Sequence, residues 1–265
     1  MTYSDFIQSN LEKAGKIANG QFGHVAQTEK IEDSNQVLTK TDLEIGSFLV
    51  QKVQTIFPSH NIIDEEAGVI DKSSEFTWVI DPIDGTSNFA KGLPHYGIMI
   101  GLLQGSTPIA GGVILPSFGE IYIAEKGNGV TCNGKRISVS DEISLGKVLV
   151  TYGIDGHRED PQKTIEECED LAKLVLHIRN LRTTNSAYDM MACAKGAYGL
   201  YMNKTTKIWD NVAPHIIIEE AGGVYTDFYG KTLDYSTPLQ KSNSNYTVCA
   251  GSKILHDQVQ AILRG

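Results

Sequence analysis

Phe76-Thr77-Trp78-Val79-Ile80-Asp81-Pro82-Ile83-Asp84-Gly85-Thr86-Ser87-Asn88-Phe89 is the stretch around which the chain is organised. Trp78-Val79-Ile80 reads as a short buried strand that runs into two aspartates, Asp81 and Asp84. Pro82 has no N–H for a strand ladder and Gly85 permits a tight turn, so the strand is expected to stop here. Thr86, Ser87 and Asn88 are good N-cap types, which predicts a helical turn beginning at this point. The strand end would then bring two carboxylates beside free backbone N–H groups. Such a setting can hold hard cations with the carboxylates and a phosphate with the amides. Taken alone, an Asp-x-x-Asp pair reads more readily as an ordinary acidic turn, so its partners must come from elsewhere in the chain.

Immediately upstream, Asn61-Ile62-Ile63-Asp64-Glu65-Glu66-Ala67-Gly68 reads as a short apolar strand running into consecutive carboxylates, which by themselves would be a solvated loop. Before it, a helix is expected over 42–57, with Ile45, Phe48, Leu49, Val53 and Ile56 on one face, Thr41 or Asp42 as its cap and Pro58 beyond its end. Ile7, Leu11, Ala14 and Ala18 predict a helix over 3–22 stopped by Gly23, and residues 24–38 read as a hairpin or mobile loop. Downstream, strands are expected at 97–103, 109–115 and 121–125, with Asn133-Gly134 as a hairpin turn.

From about residue 143 the pattern alternates. Strands are predicted at 148–152, 178–181, 197–202, 223–228 and 246–250, and helices at 161–176, 186–195, 210–221 and 253–264; Gly222-Gly223 closes the third helix. The expected fold class is therefore α+β / α/β. Residues 1–142 form an N-terminal α+β half with a largely antiparallel sheet, and residues 143–265 form a C-terminal α/β half. No Pro/Gly-rich linker divides them, so a large shared interface is expected.

Composition bounds the function. The 265 residues are 41% hydrophobic and 21% charged, ordinary for a globular protein. No apolar run approaches membrane-spanning length, and the N-terminus lacks a basic flank and an apolar core, so no membrane and a cytoplasmic location are expected. Cys132, Cys168, Cys193 and Cys249 form no Cys-x-x-Cys pair and read as free thiols; Cys193 reads as a small core residue. The net charge of 23 − 32 = −9 argues against nucleic-acid binding, while an anionic substrate would need metal ions to reverse the sign locally. No Walker-type phosphate loop is present.

The third acidic block is Lys207-Ile208-Trp209-Asp210-Asn211-Val212-Ala213, where Asp210 alone would be a simple N-cap aspartate. With Trp78-Val79-Ile80-Asp81-Pro82-Ile83-Asp84-Gly85-Thr86 upstream and Gly222-Gly223 after residues 211–221, the chain resembles the inositol monophosphatase family of magnesium-dependent, lithium-sensitive phosphatases. Asp64-Glu65-Glu66 and Thr39-Lys40-Thr41-Asp42 match two further blocks of that family in order and spacing.

The resemblance implies a layered αβαβα sandwich of the sugar-phosphatase type and a homodimer. It implies that Glu65, Asp81 and the carbonyl of Ile83 hold one Mg2+ and that Asp81, Asp84 and Asp210 hold another. A third, weaker ion would sit near Glu65, with Mn2+ as a substitute and Li+ or Ca2+ as inhibitors. Gly85 and Thr86 amides would bind phosphate beside Asp84 and Asp210. Asp42 and Thr86 would orient and deprotonate the attacking water, with Glu65 in the catalytic set, and Glu66 would support the site from behind. The physics agrees: carboxylates converging on one cleft must be protonated or metal-bound, and oxygen-only ligands select magnesium, manganese or calcium.

The pattern loosens on the leaving-group side. Asn203 stands where the family has a carboxylate, and Thr184-Asn185-Ser186-Ala187 replaces its Gly-Ser-Ala-Ala; Ser186, Ala187 and Asn203 are the corresponding substrate-side residues. A polyol or sugar phosphate, with inositol 1-phosphate foremost, is therefore joined by histidinol phosphate, NADP, phosphoadenosine phosphate and fructose 1,6-bisphosphate as substrate alternatives. Lys204 and Lys207 could serve a second anionic group or be solvated loop lysines, and His95 reads as a satisfied loop histidine within reach of phosphate. Two readings from other classes stand beside the phosphatase: a regulatory protein associated with transcription, and a cation-buffering structural protein.

Overall fold

The computed structural model describes residues 2–23, 27–29 and 37–264. Helix α1 (Tyr3–Gln21) is followed by strands β1 (Gln27–Glu29) and β2 (Val37–Thr39) and helix α2 (Lys40–Ile56). Then come β3 (Asn61–Asp64), β4 (Gly68–Ile70), β5 (Phe76–Asp84), α3 (Thr86–Ala90), β6 (Gly97–Gln104), β7 (Thr107–Leu115), β8 (Glu120–Glu125), β9 (Val130–Cys132) and β10 (Lys135–Arg136). The remainder holds β11 (Leu149–Gly153), α4 (Pro161–Val175), β12 (Asn180–Leu181), α5 (Ala187–Ala194), β13 (Leu200–Thr206), α6 (Ile208–Glu220), β14 (Val224–Thr226), β15 (Tyr246–Gly251) and α7 (Lys253–Arg264).

β1 and β2 pair antiparallel, as a hairpin requires; the rest of the stretch expected to be hairpin or loop, residues 24–26 and 30–36, lies outside the described residues. An eight-stranded sheet has the order β10-β9-β8-β7-β6-β5-β3-β4, and a five-stranded sheet the order β12-β11-β13-β15-β14. The first is antiparallel except where β3 runs parallel to β5; in the second β11 is parallel to both β12 and β13. Asn133 and Gly134, both at positive φ, form the two-residue turn that joins β9 to β10.

Period-two alternation sorts the side chains into three apolar layers. Trp78 and Ile80 face α1 and α2 with Ile7, Leu11, Ile45 and Leu49, while Val79 faces the other way, toward Val212, Ile216 and Ile217 of α6. In the second sheet Tyr201, Val248 and Ala250 face that same α6 layer. Leu200, Met202 and Cys249 turn to α4 and α7, meeting Leu174, Leu255 and Val259. The result is the αβαβα sandwich: α1 and α2, the large sheet, α5 and α6, the small sheet, then α4 and α7. α6 is apolar nearly all round because both of its sides are covered by sheet. Cys193 is fully buried in the middle layer, as expected of a small core residue, and all four cysteines are unpaired.

Three local expectations are corrected. β5 does not stop at Pro82 but runs on to Asp84, because the pairing with β6 shifts register between Asp81 and Asp84. A strand irregularity needs no ladder N–H, so proline is tolerated there. α2 begins earlier than predicted, at Lys40: Thr39 is the cap, and Asp42 sits three residues in, returning a hydrogen bond to the Thr39 N–H. Asp210 is likewise not the first residue of its helix. Lys207 precedes α6, and Asp210 Oδ2 accepts the Lys207 N–H at 2.6 Å.

Candidate active site

Parallel strand pairs in both sheets end on one cleft of about 290 Å3. Carboxyl ends of parallel strands leave unpaired loops and outward-aimed groups, so ligands collect there. β3 delivers Glu65, β5 delivers Asp81, Ile83 and Asp84, and β11 and β13 deliver Asp155 and Asn203; α6 adds Asp210 from the layer between the sheets.

Carboxylate oxygens of Asp81, Asp84 and Asp210 all lie within 4.8 Å of one another. Asp81 Oδ1 and Asp84 Oδ2 are buried without a hydrogen-bond partner. Burial, then the charges of Glu65, Asp84 and Asp210, hold the Asp81 carboxyl well above the ordinary range. Burial, then Asp210 and Glu65, do the same to Asp84, although the Ala187 N–H partly offsets them. Burial pushes Asp210 up to about 6 against the opposing pull of the Lys207 N–H. Buried oxygens that lack a donor and resist ionisation are what a hard divalent cation would satisfy, and an all-oxygen donor set fits magnesium, manganese or calcium better than zinc. Glu65 stands half-buried beside this cluster in the same cleft.

Next to the carboxylates, Thr86 Oγ1 lies 2.8 Å from the Ile83 carbonyl oxygen and 3.2 Å from Asp42 Oδ1. The other oxygen of Asp42 accepts from the Thr39 N–H at 2.9 Å and from its hydroxyl at 2.5 Å. Asp42 is fully buried, and that burial raises its carboxyl to about 6 despite the Thr39 bonds. Gly85 makes the turn into α3 at φ +87°; a Cβ there would stand 2.8 Å from Ser186 Cβ and 2.9 Å from the His95 carbonyl. Asp64, at the end of β3, accepts the N–H groups of Glu66 and Ala67 at 3.0 and 2.7 Å and so sets the turn that carries Glu65.

The far wall comes from the second sheet. Asp155, His157, Thr184, Asn185, Ser186, Asn203 and Thr205 line it. Asp189, fully buried on α5, accepts the N–H groups of Thr184 and Asn185 at 2.7 and 2.9 Å and fixes a turn in which Asn185 takes φ +51°. Lys204 is committed elsewhere: its ammonium lies 2.5 Å from Asp170 and 4.4 Å from the centroid of Phe228. The His95 ring packs against Phe118 and Tyr188 rather than lining the cleft.

Of the residues singled out in sequence, the cleft brings together Glu65, Asp81, Ile83, Asp84, Gly85, Thr86, Thr184, Asn185, Ser186, Asn203, Lys207 and Asp210. Asp42 joins them through Thr86, and Ala187 stands behind the wall with its N–H toward Asp84. Sequence reading missed Asp64, Asp155, His157, Asp189 and Thr205. The signal that could have found Asp155 and His157 is their place just after a strand of an α/β unit.

The model of the inositol monophosphatase family matches residues 2–264. A fructose-1,6-bisphosphatase/inositol-1-monophosphatase of Aquifex aeolicus is 33% identical over 94% of this chain and 90% of its own. The Nus factor SuhB of Vibrio cholerae is 35% identical over 86% of this chain and 82% of its own. Among solved structures, an IMPase of Thermotoga maritima superposes with a TM-score of 0.84 at 29% identity, covering 98% of this chain and 96% of that one.

Proposed function

The chain belongs to the inositol monophosphatase family, and on that premise we propose that it is a magnesium-dependent phosphomonoesterase hydrolysing a small polyol or sugar phosphate by direct attack of water. The observation that carries the reading is the meeting of Asp81, Asp84 and Asp210 within 4.8 Å, with buried carboxylate oxygens left unpartnered.

Glu65, Asp81 and the Ile83 carbonyl would hold one ion, and Asp81, Asp84 and Asp210 a second, with a weaker third near Glu65; Mn2+ would substitute, and Li+ or Ca2+ would inhibit. Bound there, divalent ions neutralise phosphoryl and leaving-group charge and lower the pKa of water. The chain's own groups do the rest. Asp42, with a carboxyl near 6, is suited to take a proton close to neutral pH, and Thr86 orients the water against it. The N–H groups of Gly85 and Thr86 would receive the phosphate oxygens at the start of α3. Ser186, Ala187 and Asn203 stand on the leaving-group side.

The experiment is phosphate release from a panel of phosphomonoesters, with and without magnesium, for the native chain and Asp84→Asn. No release from any substrate in magnesium would overturn the reading. A transcription-associated role is the second reading, favoured by the 35% identity to a relative named as a Nus factor. It gains ground if Asp84→Asn abolishes hydrolysis yet leaves a biological phenotype intact. A division at residue 142/143, a homodimer and a reducing cytoplasm belong to the same proposal; the four free thiols support the last.

A further inference from the structure

Asn211 directly follows Asp210 and is fully buried. On a helix covered by sheet on both sides, a carboxamide costs stability unless each of its polar atoms finds a partner. Here each one does. Asn211 Nδ2 donates to the Thr206 hydroxyl at 2.8 Å and to the Lys207 carbonyl. Asn211 Oδ1 accepts from the Tyr225 hydroxyl at 2.9 Å. A carbonyl can only accept, so the Lys207 contact fixes which way the amide faces and makes the Tyr225 hydroxyl the donor. The partners are themselves held. Thr206 donates to the Tyr246 carbonyl at 3.0 Å, and the Tyr225 ring stacks at 4.6 Å on His215, one turn along α6 from Asn211.

Lys207 is thus gripped twice: Asn211 takes its carbonyl, and Asp210 Oδ2 accepts its N–H at 2.6 Å. That second bond engages one oxygen of Asp210 and sets how the carboxylate faces the cleft. Thr206 and Tyr225 belong to β13 and β14 of the small sheet, whereas Asp81 and Asp84 end a strand of the large one. Asn211 is therefore the link through which the small sheet holds Asp210 within 4.8 Å of Asp81 and Asp84.

We propose that Asn211 is a positioning residue of the acidic cluster: pinned by Tyr225 and Thr206, it holds the turn at Lys207 so that Asp210 meets Asp81 and Asp84 at the spacing a small divalent cation needs. The inference rests on the phosphatase reading and adds to it the source of the site's rigidity. Magnesium demands near-ideal octahedral geometry at short range, while calcium accepts a larger and looser set of oxygens. Loosening Asp210 therefore costs magnesium more than calcium. A general loss of stability would not discriminate between the two ions.

The test is calorimetric titration of metal-free protein with magnesium and, separately, with calcium, the site being identified as the one that Asp84→Asn abolishes. Asn211→Leu, close in volume but without polar atoms, should raise the magnesium Kd at that site by about tenfold or more, the usual cost of removing a group that orients a metal ligand. The calcium Kd should rise by less. Tyr225→Phe, which keeps the ring on His215, should shift both in the same direction. Val259→Ala, a truncation in the outer layer with α7, is the control for lost stability and should leave both Kd values within about twofold of native. The inference falls if the magnesium Kd stays within about twofold of native in Asn211→Leu, or in Tyr225→Phe should Asn211→Leu not fold. It falls equally if calcium weakens as much as magnesium, or if Val259→Ala reproduces the shift. Each of these results leaves the phosphatase reading in place, whereas a native chain that binds no magnesium overturns both.

Discussion

Thr86 and Asp42 are 44 residues apart in the chain, yet Thr86 Oγ1 lies 3.2 Å from Asp42 Oδ1. Thr39 saturates the opposite oxygen of Asp42, so the carboxylate is held with one face toward Thr86 and the cleft. A hydroxyl between two acceptors, Asp42 and the Ile83 carbonyl, can donate to only one of them at a time. It can therefore switch partners as a proton moves.

Thr86→Val and Asp42→Asn are expected to lower kcat by about 10²–10⁴-fold while KM changes much less, the range for a positioned proton-transfer group. Steady-state kinetics on folded variants checks this. Equal losses in KM alone would remove the pair from the chemical step.

Asp84→Asn should abolish magnesium-dependent hydrolysis and, in metal-free protein, raise the melting temperature. The substitution takes one charge out of a buried cluster whose members hold one another's carboxyls high. Each kcal/mol gained is worth about 2–4 °C in a chain of this size. Magnesium should stabilise the native chain by about 2.7 kcal/mol at a hundredfold excess over its Kd and the variant by much less. Calorimetry with and without magnesium reads both effects.

Metal-free protein should lose stability as the pH rises. Asp42 and Asp210 titrate near 6 when folded, above the unfolded carboxylate value of about 3.9. Between those values the native state holds more protons than the unfolded chain, so its stability falls as pH climbs through the window. For Asp42 alone the penalty above pH 6 is on the order of 3 kcal/mol. Denaturant melts at pH 5 and pH 7.5 should show the acid sample more stable, and saturating magnesium should remove or reverse the difference.

Asp189→Ala should weaken substrate binding while leaving every carboxylate of the acidic cluster in place; losing its charge also relieves Asp84 slightly. It strips two N–H groups, those of Thr184 and Asn185, of their buried acceptor. Both N–H groups are only partly buried, so water can take up part of the loss and the cost is about 1 kcal/mol for each. KM should rise more than kcat falls, and an unchanged KM would show that the 184–185 turn does not depend on this carboxylate.

Much of this site was readable because its signals are local. Asp81 and Asp84 close an apolar run, Asp210 follows a tryptophan at the start of a helix that ends in Gly222-Gly223, and both patterns survive without knowledge of the fold. Cap positions were harder: Thr39 and Asp42 have capping-box spacing, but Thr41 competes for the same role until the backbone is seen. Pro82 misled, because whether a strand tolerates proline depends on the register of its neighbour, here broken between Asp81 and Asp84. Asp155 carries no motif at all. It reaches the cleft because β11 and β13 pair Gly153 with Asn203, a fact of long-range register. Asp189 is one charge on an apolar helix with no motif around it, and only tertiary packing shows the two N–H groups it serves.

The ends of β3 and β5 with Asp210 build one end of the cleft, and the segments after β11 and β13 with the 184–186 turn build the other. The ends touch where Gly85 meets Ser186 and where the Ala187 N–H faces Asp84, so mutation away from those contacts can change one end with little effect on the other. If the far end selects the leaving group, drift at positions such as 185, 186 and 203 would change which molecule is accepted while leaving Asp81, Asp84 and Asp210 in place. On that reading, lineages that inherit this scaffold could trade substrates by small steps, each intermediate keeping its acidic cluster intact.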